Sequence, residues 1–139
     1  MILISNNERN LSCVVDWRSK KLKQVVSSLT AAEALAANDT LDSLVYVHSV
    51  LVETFGDVAK DIPLVLTTDA KNLHKSVMST SLVENLRLRT DVAILKDSLK
   101  SRELNKLTLV AGKRMIANVL TKKGAAGVEL MSILRTCKI

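Results

Sequence analysis

Helix-favouring residues run from Ala31 to Phe55, and this stretch of 25 positions constrains the fold more than any other. It lacks proline and glycine until Gly56, a natural stop just beyond a helix end. Ser27-Ser28-Leu29-Thr30 offers cap residues at its start. Thr30 and Glu33 have the spacing of a capping box, in which the glutamate reaches back to an orphan N–H. Leu35, Leu41, Leu44, Val45, His48 and Leu51-Val52 follow a helical stripe that predicts the buried face. The length leaves room for a break near Asn38-Asp39.

The segments around this helix alternate in type. Met1–Ser5 is apolar and branched, Asn6–Asn10 is a polar turn, and Leu11–Trp17 is branched again, so a hairpin opens the chain. Pro63 precedes the continuous apolar run Leu64–Thr68, which reads as a buried strand ended by Asp69. A short helix is predicted over Ala70–Met78 and a long one over Leu82–Lys100, with Leu88, Val92, Leu95 and Leu99 on its apolar side. Leu104–Val110 reads as a strand, Arg114–Thr121 as a short helix and Ala125–Arg135 as a terminal helix. This order predicts an α/β layered protein with a partly parallel sheet, folded as a single domain over residues 1–139.

Composition narrows the function classes. The chain is basic, with 20 Lys+Arg against 14 Asp+Glu, which suits phosphate-bearing partners. Only Trp17, Tyr46 and Phe55 are aromatic, too few for base-stacking along a single strand. Cys13 and Cys137 have neither disulfide-scaffold density nor zinc spacing, and read as thiols of an intracellular protein. No apolar run reaches a membrane span, and the N-terminus lacks the basic-then-apolar pattern of a secretory signal. Four glycines without P-loop or dinucleotide spacing exclude those phosphate cradles, and no nucleophile-elbow motif occurs. His48 and His74 read as packed or surface histidines.

What remains is acidic. Glu33 sits near the start of the long helix, and Asp69 at the carboxyl end of a predicted strand, where α/β proteins place ligands. Carboxylates converging from a helix start and a strand end could hold Mg²⁺, which takes hard oxygen donors. The plainer reading is that each carboxylate caps a helix.

Five stretches in collinear order resemble one family. Trp17-Arg18-Ser19-Lys20-Lys21 leads into Ser27-Ser28-Leu29-Thr30-Ala31-Ala32-Glu33-Ala34, and Thr67-Thr68-Asp69-Ala70-Lys71-Asn72-Leu73 follows. Then come Arg87-Leu88-Arg89-Thr90-Asp91-Val92-Ala93 and Ile116-Ala117-Asn118-Val119-Leu120-Thr121-Lys122-Lys123-Gly124-Ala125. Together they are similar to the ribonuclease H domain of copia-type retrotransposon polyproteins. The resemblance implies a ribonuclease H-like α/β/α three-layer fold around a mixed sheet. It also implies Mg²⁺- or Mn²⁺-dependent hydrolysis of RNA in RNA–DNA hybrids, downstream of a reverse transcriptase region. In that family two metal ions are held by four carboxylates.

Carried over, the resemblance assigns Glu33 and Asp69 as catalytic metal ligands. The family's last aspartate falls on Asn118, a neutral oxygen donor, and Ala70 stands where an asparagine is usual. The first aspartate belongs to an opening central strand ahead of the hairpin. No strand precedes Met1–Ser5, so the expectation is an N-terminally truncated domain lacking that strand. Asp16 is no substitute, because it precedes Trp17 on a different strand. The favoured expectation is that the sheet closes by pairing Met1–Ser5 directly with Leu64–Thr68; the alternatives are a strand supplied by another chain, or a fragment that folds poorly. Arg18, Lys20, Lys21, Lys23, Lys122 and Lys123 are expected to contact nucleic-acid phosphates. With two of four carboxylates, the expected activity is weak or absent. The alternative is a non-catalytic module that binds nucleic acid or another protein.

Overall fold

The computed structural model describes residues 1–6, 8–20, 25–26, 28–81, 83–120 and 127–138. The protein is mixed α/β and divides into two compact units: Met1–Lys21 with Ala111–Ile139, and Leu22–Val110.

The first unit is built on a hairpin. Strands β1 (Ile2–Asn6) and β2 (Leu11–Asp16) pair antiparallel, from Ile2 opposite Asp16 to Asn6 opposite Leu11. Asn10 adopts the left-handed conformation at the turn, which asparagine tolerates. The Ser12 hydroxyl donates to the Ser5 hydroxyl across the strands at 2.8 Å.

The chain returns to this unit near its C-terminus. Two 3-10 turns, Gly112–Arg114 and Ile116–Leu120, replace the short helix expected over Arg114–Thr121. A terminal helix (Val128–Thr136) packs on β2 and buries Leu130 and Ile133.

In the second unit one helix, α1 (Leu29–Phe55), runs without a break through Asn38-Asp39 and stops at Gly56, whose φ is +64°. A short helix, α2 (Asp57–Lys60), follows. Strand β3 (Val65–Thr68) leads into helix α3 (Lys71–Met78), and helix α4 (Leu86–Lys100) leads into strand β4 (Lys106–Leu109). β3 and β4 pair in parallel, Val65 opposite Lys106 through Thr68 opposite Leu109. Asn85 opens α4, its Oδ1 accepting from the Leu88 N–H, so the helix starts later than the expected Leu82.

The core of this unit joins Ala31, Ala34, Ala37 and Leu41 of α1 to Leu66, Leu73, Val77, Leu88, Val92, Leu95, Leu104 and Leu107. The deepest part of the α1 face is thus mainly alanine; of the expected row, Leu41 is buried, Leu44 and Val45 pack partly buried against the core, and Leu35, His48, Leu51 and Val52 are half-buried. Small side chains let neighbouring backbones approach closely, and α1 packs against α4, α3 and β3. Large side chains would hold them apart. Asn38 is also buried, and its amide donates to the backbone carbonyl and the carboxylate of Asp91 on α4.

The expected single mixed sheet is not formed. Among the described residues β1 pairs with β2 and β3 with β4, in two separate two-stranded sheets, so Met1–Ser5 does not pair with Leu64–Thr68. Each strand finds its ladder inside its own unit: β1 pairs with β2 across a short polar turn, and β3 pairs with β4.

Ala34 is fully buried. Replacing it with leucine should force the packed elements apart and cost about 1–3 kcal/mol, read by urea unfolding. An unchanged midpoint would show that the alanine face does not set the helix approach.

Candidate carboxylate site

The cap of α1 decides what Glu33 is free to do. Ser28 has extended backbone, and its hydroxyl accepts from the Ala31 N–H at 3.1 Å. Ser28 is therefore the cap, and the Thr30–Glu33 capping box expected from spacing does not form. Glu33 lies one turn into the helix, past the positions whose N–H groups need an acceptor. Its capping role is gone.

Asp69 does not hold the cap position of the helix that follows it. It follows the last residue of β3, where the Val110 N–H bonds the Thr68 carbonyl as the final rung of the parallel pair. The cap position of α3 is Ala70, without a side-chain cap. The Thr68 hydroxyl accepts from the Ala70 N–H at 3.1 Å, turning the chain around Asp69.

These two turns bring the carboxylates together electrostatically. Both residues are partly buried. The Glu33 carboxyl is held above the ordinary glutamate range, first by its partial desolvation and second by the negative charge of Asp69. Groups 36 positions apart in sequence thus feel each other across the carboxyl end of β3. No group of three or more His, Cys, Asp or Glu side chains fit to hold a metal occurs among the described residues.

Asn118 belongs to the unit formed by the two chain ends, and its amide donates to the Gly112 carbonyl, tying the two 3-10 turns together. Of the basic candidates, Arg18 is exposed and paired with Asp16 at 3.2 Å, and Lys20 is exposed. Lys21, Lys23, Lys122 and Lys123 lie outside the described residues. Trp17, beside Arg18, is 62% exposed.

Sequence reasoning passed over a cleft of about 350 Å³ at the opposite end of β3 and β4. Val45, His48, Lys60, Pro63, Arg102 and Glu103 line it. His48 was read only as a packed or surface residue; its Nε2 lies 3.1 Å from the Ala59 carbonyl oxygen, which ties α1 to α2. The left-handed backbone of Arg102, φ +62°, is the local feature that turns the chain into β4, and a non-glycine residue there carries no sequence signal.

Comparisons of the chain with protein-family models, with curated proteins and with solved structures found no match. No described helix is long and apolar enough to cross a membrane.

The raised Glu33 carboxyl fixes a pH dependence. A proton binds it more tightly in the folded chain, so its contribution to stability is present at low pH and is lost as pH rises through the folded value. Glu33→Gln should match the parent near about pH 3. It should then grow more stable than the parent as pH rises from about 4 to 6 in thermal unfolding. A difference independent of pH would show that the carboxylates do not interact.

Proposed function

We propose that this chain is a degenerate ribonuclease H-like protein of copia-type retrotransposon descent. Glu33 and Asp69 hold one divalent cation, Mg²⁺ or Mn²⁺, and the chain alone does not sustain hydrolysis of RNA–DNA hybrids. The observation that carries this reading is the Glu33–Asp69 pair itself. Glu33 lies near the start of α1 and Asp69 directly after β3, and the negative charge of Asp69 helps to raise the Glu33 carboxyl. The five collinear stretches of sequence support the descent.

The donor set fits one hard cation and not two. Two carboxylates neutralise a single Mg²⁺, which keeps several of its waters. A second ion would bring two more positive charges, and at the third position Asn118 supplies no anion and bonds Gly112 instead. A bound ion would act as a Lewis acid toward phosphate oxygens. Glu33 and Asp69 would anchor it, and the relief of their mutual repulsion is the favourable term. In this reading the partners are hybrid or other nucleic acid, and the reverse transcriptase region of a polyprotein. The setting is intracellular.

Isothermal titration with Mn²⁺ and Mg²⁺ should show one weak site. Glu33→Gln or Asp69→Asn should weaken it by at least about tenfold, the loss that even an outer-sphere partner produces. Hybrid cleavage in either metal should stay at background. Robust turnover abolished by these substitutions would overturn the inactive reading, and no metal binding at all would remove the site.

A second reading, a non-catalytic nucleic-acid-binding module, is favoured by one observation. Exposed Trp17 adjoins Arg18, with Lys20 two positions beyond, an aromatic platform beside cations just past β2. Binding to a hybrid should then weaken with salt, and Lys20→Ala should reduce the log–log slope by about 1. A flat salt dependence would discard this reading.

A further inference from the structure

The two cysteines lie at opposite ends of the sequence, 124 positions apart, yet the fold brings them to one place. Lys138 forms a bridge opposite Leu11, antiparallel, just beyond the terminal helix. The Ser12 N–H donates to the Cys137 carbonyl at 2.7 Å, so Cys137 stands across from Ser12, and Cys13 is the next residue along β2. Across an antiparallel pair about 5.5 Å wide, with a rise of about 3.4 Å per residue, such an offset separates the Cα atoms by about 6.5 Å. Disulfides usually span about 4.4–6.8 Å.

A one-position offset in regular strands would send the side chains to opposite faces. Cys137 is not in a regular strand. It ends the terminal helix in the left-handed conformation, φ 53° and ψ 26°, its N–H bonded to the Ile133 carbonyl, so strand alternation does not govern its side chain. Both thiols are free and exposed.

We propose that Cys13 and Cys137 form an intramolecular disulfide that staples the terminal helix to the opening hairpin. The oxidant is a small-molecule disulfide of the glutathione type. One cysteine thiolate attacks its S–S bond, giving a protein–glutathione mixed disulfide and releasing one glutathione thiolate. The second cysteine thiolate attacks the bonded protein sulfur, releasing the other glutathione. Each protein thiol gives up a proton, two protein sulfurs are oxidised, and one glutathione disulfide is reduced to two thiols.

The test is incubation of the full chain with oxidised glutathione, followed by intact-mass and non-reducing peptide analysis. The expected product is a monomer lighter by two hydrogens, with the Cys13 and Cys137 peptides joined. Cys13→Ser and Cys137→Ser should each leave one glutathione adduct. Cross-linking should run at least about tenfold faster in the folded chain than in urea, where 123 intervening residues must close as a loop. The oxidised chain should also unfold at higher denaturant concentration than the reduced one. Two stable glutathione adducts, intermolecular dimers, unmodified thiols, or equal rates in the folded and unfolded chain would each overturn the proposal.

Discussion

The alanine face of α1 is the constraint on which the second unit depends. Ala31, Ala34 and Ala37 occupy successive turns of one helix side and are buried. Because their side chains are short, the helix lies close to α4, α3 and β3 at once. The placement of Glu33 near Asp69 follows from packing geometry rather than from any attraction between the two. Their charges repel, and the core supplies the free energy that holds them together.

That repulsion gives the site its character. Carboxylates serving as caps are stabilised by the N–H groups they accept from. Here Ser28 and Thr68 provide the hydroxyl acceptors that the local N–H groups need. The negative charge of Asp69 acts on Glu33, whose carboxyl has a raised affinity for a proton. A proton on Glu33 removes this repulsion, so the folded chain holds it more tightly.

Most elements were legible in the sequence, because hydrophobic period and punctuation act locally. The hairpin, α1, the β3–α3 segment, α4 and β4 lie within a few residues of where Gly56, Pro63 and the apolar runs put them. Three readings failed where neighbours decide. Ser28 and Thr30 are both competent caps, and the choice between them depends on how the preceding chain enters the helix. The deepest positions of α1 went to alanine beside the expected Leu41, because close approach of the backbones favours small side chains there. The single sheet expected from the resemblance gave way to two short ladders.

The sequence by itself determined the kinds of elements, their order, and the two acidic positions set at a helix start and a strand end. These are properties of short windows of chain, and short-range physics controls them. Tertiary structure alone decided that Glu33 feels the charge of Asp69, that Asn118 is tied to Gly112, and that Cys137 stands beside β2. Distances between residues far apart in the chain arise only after the core has chosen which faces to bury, and no window of sequence records that choice.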